Sequence, residues 1–472
     1  MKVLLVHPPA LATFQISAPL GLGYVGAALK KAGHEVEVLD LDLHHMPALS
    51  TVPVLRSFRP DWVGISALTS QYPEAKRVAS LSKEFGAKVV LGGIHASAIP
   101  EFVLKDCRYI DYVVRGEGEK AFPLLLEGDI GPGVYYRNNG IIGGSTPEFI
   151  QDVDSLGKPW SVLDIEKYST NVTHGLAVRR SPTAPVLSSR GCPYGCTFCS
   201  SHQSLGKKIR LRSPKNFVDE LEELHRVYNV QQFQILDDNF TFYPEHVRSV
   251  CQEILGRQLD IVWMLPNGIR ADKVDEELLS LMKKAGCFYV AFGVESGSPR
   301  VLKEAHKSLD LDAVVKAAKL SEKLGLIAQG FFLVGFPGET KEDLEMTYKF
   351  AMSLPLDRIS VNPIIPLPGS TIYDKVVRDG LLDPHTTDWS TYNRFDCFPY
   401  TGISREELAK FVKRINFKFY VRPKQILKIL SRVRSWSEVE GILLGFRILF
   451  REAGRTFAEG SRLSRKVERR GY

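Results

Sequence analysis

Two arrays of short apolar runs alternating with helical stretches, divided by a segment without period, constrain this chain more than any other feature. In the first array, Val3 to Val6, Glu35 to Leu39, Trp62 to Ser66, Val89 to Gly92 and Tyr112 to Val114 read as strands apolar on both faces. Leu20 to Ala32 and Pro73 to Phe85 read as helices, the first stopped by Gly33. Strand-helix alternation builds a parallel, doubly wound sheet whose ligands sit at the carboxyl ends of its strands. The turns falling there are Pro8-Pro9, Thr69-Ser70, Gly92-Gly93-Ile94-His95 and Arg115-Gly116-Glu117-Gly118. Asn139-Gly140, within Val134 to Ile142, predicts a hairpin that closes this unit. A linker runs through Pro159 and Tyr168 to Pro185. Strands then restart at Val186 to Ser189, Phe233 to Leu236, Val262 to Leu265, Tyr289 to Phe292, Gly330 to Val334 and Ile359 to Ile364. Helical segments such as Phe217 to Tyr228, Glu245 to Leu255 and Asp310 to Leu324 separate them.

With 472 residues the chain is too long for one ordinary core, so two large domains and a smaller piece are expected. Seven cysteines without regular pairing suit a reducing compartment. Met1 to Val6 opens directly into a strand with no leader pattern, and no apolar run reaches the roughly 18 residues of a membrane span. A cytoplasmic protein is expected, at most peripheral at the inner membrane face. The net charge of +7 is confined to the tail, because Thr401 to Tyr472 holds 18 Lys/Arg against 7 Asp/Glu. There Phe411, Ile415, Phe419, Ile426, Leu427 and Leu430 interleave with basic residues, and an apolar block from Ile442 to Phe450 follows. Two readings stand: basic amphipathic helices lying on an anionic membrane, or a helical cap with a solvated basic face. The tail shows no recognisable nucleic-acid-binding appendage, so no nucleic-acid partner is expected.

Cys192, Cys196 and Cys199, in the run Cys-Pro-Tyr-Gly-Cys-Thr-Phe-Cys, follow the first strand of the second array. Three soft thiolates suit a cubic iron-sulfur cluster with one iron left open, or zinc if a fourth ligand exists. Cys107, Cys251, Cys287 and Cys397 are single and far apart. Polar or glycine-rich clusters end the next five strands: Asp237-Asp238-Asn239, Asn267-Gly268-Ile269-Arg270, Gly293 to Ser298, Gly335 to Thr340 and Pro366 to Ser370. The Arg270 guanidinium could clamp a carboxylate bidentately. Thr340 with Asp343 reads as a capping box, and Glu295 and Asp238 could themselves be plain helix caps.

On these residues the chain resembles the radical S-adenosylmethionine (SAM) superfamily. Its front third resembles the cobalamin-binding domain fused to one branch of that superfamily, through Pro19 to Tyr24, Gly92 to Ala96 and Val114 to Glu119. The resemblance implies an α/β protein with a Rossmann-like front domain (1–147), a linker (148–184), a partial (β/α)6 barrel (185–400) and a helical C-terminal cap (401–472). It implies a [4Fe–4S] cluster on Cys192, Cys196 and Cys199. SAM contacts would come from Phe198, Asp237, Asp238, Asn239, Arg270, Glu295, Ser296 and Gly335. Cobalamin contacts would come from Pro8, Thr69, Ser70, Gly92, Gly93, His95, Gly116 and Glu117, and no catalytic side chain is singled out. Gly21 to Gly26 also spells G-x-G-x-x-G, but it begins well after the first strand, within a helical pattern. Small residues packed close to the sheet or to a flat ligand explain it better.

Many cobalamin proteins carry Asp-x-His-x-x-Gly. Here Asp42 to Pro47 ends in proline and follows the second strand, so His44 and His45 read as solvated and no histidine is expected below the cobalt. His7 is equally unassigned. The implied reaction is methyl transfer to an unactivated carbon of a small-molecule or lipid-like substrate, one SAM methylating cobalamin and a second giving the 5′-deoxyadenosyl radical. An external flavodoxin- or ferredoxin-like protein would supply electrons. The alternatives are a radical oxidative cyclase of tetrapyrrole type and a cobalamin-binding sensor with a structural cluster.

Overall fold

The computed structural model describes residues 1–10, 17–168, 178–392, 402–432 and 439. In the front half, strands β1 (Lys2–His7), β2 (Glu35–Asp40), β3 (Trp62–Ser66), β4 (Lys88–Gly92) and β5 (Tyr112–Val114) are parallel, in the order β2-β1-β3-β4-β5. Val3 to Val6 and Trp62 to Ile65 are buried because helices cover both faces of these central strands. At the edge, β2 departs from the two-faced apolar expectation. Its Glu-Val-Glu-Val alternation leaves one face in water. Strands β6 (Val134–Asn138) and β7 (Ile141–Gly143) form the expected antiparallel hairpin. Asn139 and Gly140 both have positive φ, 47° and 83°, as a two-residue type I′ turn requires.

The second half begins with β8 (Thr183–Val186), followed by a two-residue ribbon of β9 (Ser189–Arg190) against β10 (Arg210–Leu211). Strands β11 (Gln232–Ile235), β12 (Val262–Ile269), β13 (Cys287–Glu295), β14 (Ile327–Val334) and β15 (Arg358–Pro363) complete an all-parallel sheet in sequential order from β8 to β15. Its end strands do not pair, so the barrel is open. Trp263, Val290, Phe292 and Ala328 pack toward the helices, whereas Met264, Tyr289 and Ala291 alternate onto the other face. Strands β12 and β13 run further than the sequence pattern indicated, so Asn267-Gly268 and Gly293-Val294 are strand residues. The Thr340/Asp343 capping box is formed.

The helix Arg405–Tyr420 buries Leu408, Phe411, Ile415 and Phe419, and its Tyr420 hydroxyl bonds both Ile359 N (3.1 Å) and Ile359 O (2.8 Å). That contact satisfies backbone on the free edge of β15. This part of the tail is therefore a structural cap, and Phe411 and Phe419 cannot also enter a membrane. Leu430, Trp436, the Ile442 to Phe450 block and Cys397 lie outside the residues whose side chains are described. Among the described residues no helix is long and apolar enough to cross a membrane.

Two connections depart from expectation. The described part of the linker forms short 3₁₀ turns at Val153–Ser155, Pro159–Ser161 and Ile165–Lys167, with Trp160, Leu163, Ile165 and Tyr168 in the main core. Such turns lack the periodicity that reveals helices and strands. After the barrel, residues 371–392 return to the front half, where Tyr373, Val376 and Trp389 join its core. The linker also accounts for the glycines of the first helix. A Cβ on Gly23 would lie 2.6 Å from Pro159 Cβ, and one on Gly26 2.8 Å from Val162 Cγ2. These glycines make room for the linker and not for a cofactor.

Gly23→Ala is expected to cost about 1–3 kcal/mol through overpacking. Gly21→Ala, with nothing within 4 Å of its new methyl, should be neutral or gain up to about 1 kcal/mol of helix propensity. Urea midpoints of the two variants measure the difference.

Candidate functional site

The front strand order reverses between β2 and β3, placing a crevice beyond the carboxyl ends of β1 and β3. At its base the His7 ring donates from Nδ1 to Asp40 Oδ1 (2.8 Å) and accepts at Nε2 from the Gln71 amide (3.1 Å), the tautomer this network requires. Gln71 also donates to Pro8 O, and the Tyr168 hydroxyl donates to Asp40 Oδ2. Burial opposes the Asp40 charge, but the bonds from His7 and Tyr168 outweigh it and hold the carboxyl below its ordinary range. His7 is thus engaged on both nitrogens. His44 and His45 are exposed, as expected.

Of the residues expected at cobalamin, Pro8, Thr69, Ser70, Gly92 and Gly93 lie on the ends of β1, β3 and β4. Pro8 and Thr69 are buried, Ser70, Gly92 and Gly93 are half-buried, a Cβ on Gly93 would lie 2.7 Å from the Ala67 backbone, and Leu68 on the same rim is 49% exposed. Ser70 and Gly92, small and partly exposed beside the uncovered Leu68 side chain, fit the rim of a site for a large ligand with apolar faces. Three expectations are corrected. His95 is fully buried, stacked on Tyr72 (4.3 Å) and edge-on to Trp389 (5.1 Å), and desolvation pushes its pKa down to about 3. It is a neutral core residue. Glu117 is buried, accepting from Arg190 (2.9 Å), Arg210 (2.6 Å) and Ile150 N (2.7 Å). Gly116, at φ 80°, turns the chain against Pro147 and donates to Ser97 Oγ.

The cysteine loop springs from the two arms of the β9–β10 ribbon. Arg190, two residues before Cys192, pairs with Glu117 and Glu119 and lies over the Tyr24 ring at 4.8 Å. Cys192 N bonds Gly206 O, Thr197 N bonds Ala305 O (3.0 Å), and Thr197 O accepts from Ile372 N (3.0 Å). All three cysteines are unpaired and partly exposed. Burial, then neighbouring charges including Asp238, Cys199 and Cys196, pushes the Cys192 thiol up to about 11. Among the described residues no group of three or more His, Cys, Asp or Glu is gathered around one metal position, the three cysteines included.

Beside this loop, Asp238 Oδ2 and Asn239 Oδ1 are buried without a partner, and burial with the Asp237 charge pushes the Asp238 carboxyl up to about 6. Asp238, whose charge bears on Cys192, leaves Oδ2 as an unused acceptor that fits an ammonium group, and Asn239 Oδ1 is a second unused acceptor. Neither Asp238 nor Glu295 is a helix cap; Tyr243 and Ser298 hold those positions. Three further expectations are corrected. Asp237 is consumed by Ser188 N, Ser188 Oγ and Ser189 Oγ. Arg270 grips Asp272 bidentately (2.9 and 2.8 Å) and also donates to Lys307 O and Ser308 O, so its fork is closed to a ligand carboxylate. Ser296 Oγ bonds Thr347 Oγ1 and Ser298 N. Phe198 meets Phe336 edge to face at 5.9 Å, alongside the Gly335 turn (φ 88°). Glu295 pairs with Lys307 at 2.9 Å.

The carboxyl ends of the two sheets are bridged by one side chain. Gln203, in the short helix His202–Leu205 after Cys199, accepts from Arg115 (2.8 Å) beyond β5 and donates to Gly369 O (3.0 Å) beyond β15. Arg190, Gln203 and Lys307 were not singled out by sequence, since none lies in a recognisable motif, and Arg115 was named only as part of the turn after the fifth strand.

A radical SAM superfamily model matches residues 186–351, and a B12 binding domain model matches residues 11–126. The chain is 33% identical over 447 residues to an uncharacterized methyltransferase of Pyrococcus horikoshii, covering 91% of this chain and 94% of that one. It is 30% identical to the cytidylyl-2-hydroxyethylphosphonate methyltransferase of Streptomyces wedmorensis, covering 89% and 90%. The fold matches the radical SAM methyltransferase TsrM of Kitasatospora setae, solved with cobalamin and a [4Fe–4S] cluster, at a TM-score of 0.73 and 19% identity over 96% of this chain and 99% of that one.

Arg190→Met should leave Glu119 buried and unpaired and cost about 3–5 kcal/mol. Urea denaturation reads the loss, and exposed Arg226→Met, as a control, should change stability by less than about 1 kcal/mol.

Proposed function

Because this chain belongs to the cobalamin-binding radical SAM enzymes, we propose that it methylates an unactivated carbon of a small organic substrate with apolar character. It is an enzyme that uses a [4Fe–4S] cluster, SAM and cobalamin. The observation that carries the proposal is the bridge Arg115–Gln203–Gly369, which sets the carboxyl ends of both sheets around one cysteine loop. When bound, the cluster and SAM supply a radical that removes a substrate hydrogen atom, and cobalamin supplies the methyl group.

The chain's part is to hold and aim these groups. Cys192, Cys196 and Cys199 hold three irons. Asp238 and Asn239 take the SAM amino group with their free oxygens, and Phe198 with the Gly335 turn flanks the adenine. Thr69, Ser70, Gly92 and Gly93 would bound cobalamin on the front sheet; among the described residues there, His7 is engaged on both nitrogens, His95 is buried, and His44 and His45 face solvent. The preference for an apolar substrate draws support from Leu68 and Leu367, apolar residues 49% and 37% exposed on the front and rear rims. Electrons come from an external flavodoxin- or ferredoxin-like donor. Contact with an anionic membrane surface belongs to the basic tail beyond the helix Arg405–Tyr420.

Anaerobically reconstituted protein, given SAM and a reductant, should release 5′-deoxyadenosine, and Cys196→Ala should release none. Absence of 5′-deoxyadenosine from the intact protein would leave a cofactor-binding sensor. Asp238→Asn should keep its iron while binding SAM at least about tenfold more weakly, one lost charge-assisted hydrogen bond being worth about 1.5–3 kcal/mol. Cob(II)alamin bound to the protein should give an electron paramagnetic resonance (EPR) spectrum without nitrogen splitting from a protein histidine.

A further inference from the structure

Arg115 leaves the carboxyl end of β5 as a cation that the fold does not neutralise. It is half-buried, its Nη2 donates to Gln203 Oε1 at 2.8 Å, and its buried Nε has no partner. Among the described residues no carboxylate pairs with it. The two acids that follow it in the chain are already taken, Glu117 by Arg190 and Arg210, and Glu119 by Arg190. Two carboxylates there balance two guanidiniums, so the Arg115 charge is in excess.

Gln203 does not offset that charge. Its Oε1 holds Arg115, while its Nε2 donates to Gly369 O (3.0 Å) and to His202 Nε2 (3.1 Å), the arrangement in which a neutral His202 carries its proton on Nδ1. Burial, then the charges of Lys207 and Arg115, lower the His202 pKa, in keeping with a neutral ring. Position 369 must be glycine to admit this side chain, because its φ is 83° and a Cβ there would lie 2.6 Å from Gln203 Cγ. Every hydrogen-bonding group of the Gln203 amide is therefore in use. Around the bridge the unused groups of Arg115 and His202 are N–H donors, beside a net positive charge. A bridge alone could be built with a neutral donor, which would avoid burying an unpaired charge.

We propose that Arg115 binds an oxyanion, a carboxylate or phosphoryl group, of a substrate whose carbon frame is otherwise apolar. This rests on the reading that the chain methylates a small organic substrate at the carboxyl ends of its two sheets, where ligands of both folds gather. An oxyanion satisfies the idle donors and the excess charge together, whereas a neutral acceptor leaves the charge uncompensated. Leu367, two residues before Gly369 and 37% exposed, supplies apolar surface on the same rim.

The test is calorimetric titration of the reconstituted holoprotein, its iron and cobalamin measured and its SAM site filled with S-adenosylhomocysteine, with hexylphosphonate, hexanoate and neutral hexanamide. One or both anions should bind at least about tenfold more tightly than hexanamide, through charge-assisted hydrogen bonds, and the anion that binds identifies the group as phosphoryl or carboxylate. Arg115→Gln should keep its iron and cobalamin and bind all three probes alike. Arg115→Lys should keep part of the preference, since it retains the charge without the planar fork. Absence of cluster and cobalamin from the wild-type protein would defeat the underlying reading. Wild-type holoprotein with no preference for either anion, or a preference that survives Arg115→Gln, would overturn this inference alone. So would loss of cobalamin from Arg115→Gln, which would assign Arg115 to an amide of that cofactor.

Discussion

Four buried charges hold this molecule in the form its chemistry requires. Glu117 and Glu119 leave the carboxyl end of the front sheet and meet Arg190 and Arg210, which face each other across the ribbon carrying the cysteine loop. Their side chains are all buried, so each carries a desolvation cost that only its partners offset. The backbone N–H of Ile150 and the carbonyls of Ile150 and Leu205 take up remaining hydrogen-bonding capacity. Because Arg190 is two residues from Cys192, the position of the cluster loop relative to the front sheet is set by this knot. Apolar packing could join the halves equally strongly, but it lacks the directionality that fixes the loop.

Other contacts confine the same relationship from different sides. The linker lies on the first helix, where Gly23 and Gly26 admit Pro159, Leu163 and Val162 at close range. The segment after the barrel lays Trp389 against His95 and Tyr72. Gln203 spans the gap between the ends of β5 and β15. Together these contacts tie the front half to the second half at several points, which leaves little freedom for the two sheets to slide.

The strands were legible because buried central strands are apolar on both faces and because Asn139-Gly140 allows few turns. The cysteine triad stands out in the sequence because metal chemistry restricts both ligand type and spacing. Less legible was the use of each polar side chain. Asp237, Arg270, Ser296 and Glu117 have the right chemistry and the right place on a strand end for ligand contacts. Each is instead consumed by a neighbour brought in by the fold, such as Ser188, Asp272, Thr347 or Arg190. Residue type shows what a side chain can bind, whereas its partner is set by tertiary placement. Arg115 shows the converse, a member of the turn after the fifth strand that the fold leaves without a carboxylate partner among the described residues.

The central claim is that one cysteine loop brings the cobalamin and cluster sites together. It can be tested without knowing the substrate, by measuring electron spin relaxation of the reduced cluster in protein loaded with cob(II)alamin and in protein without it. Two paramagnets in adjoining sites relax each other through space, so the cluster should saturate at markedly higher microwave power when cobalamin is present. Identical saturation curves, with both groups bound in full, would contradict the shared site.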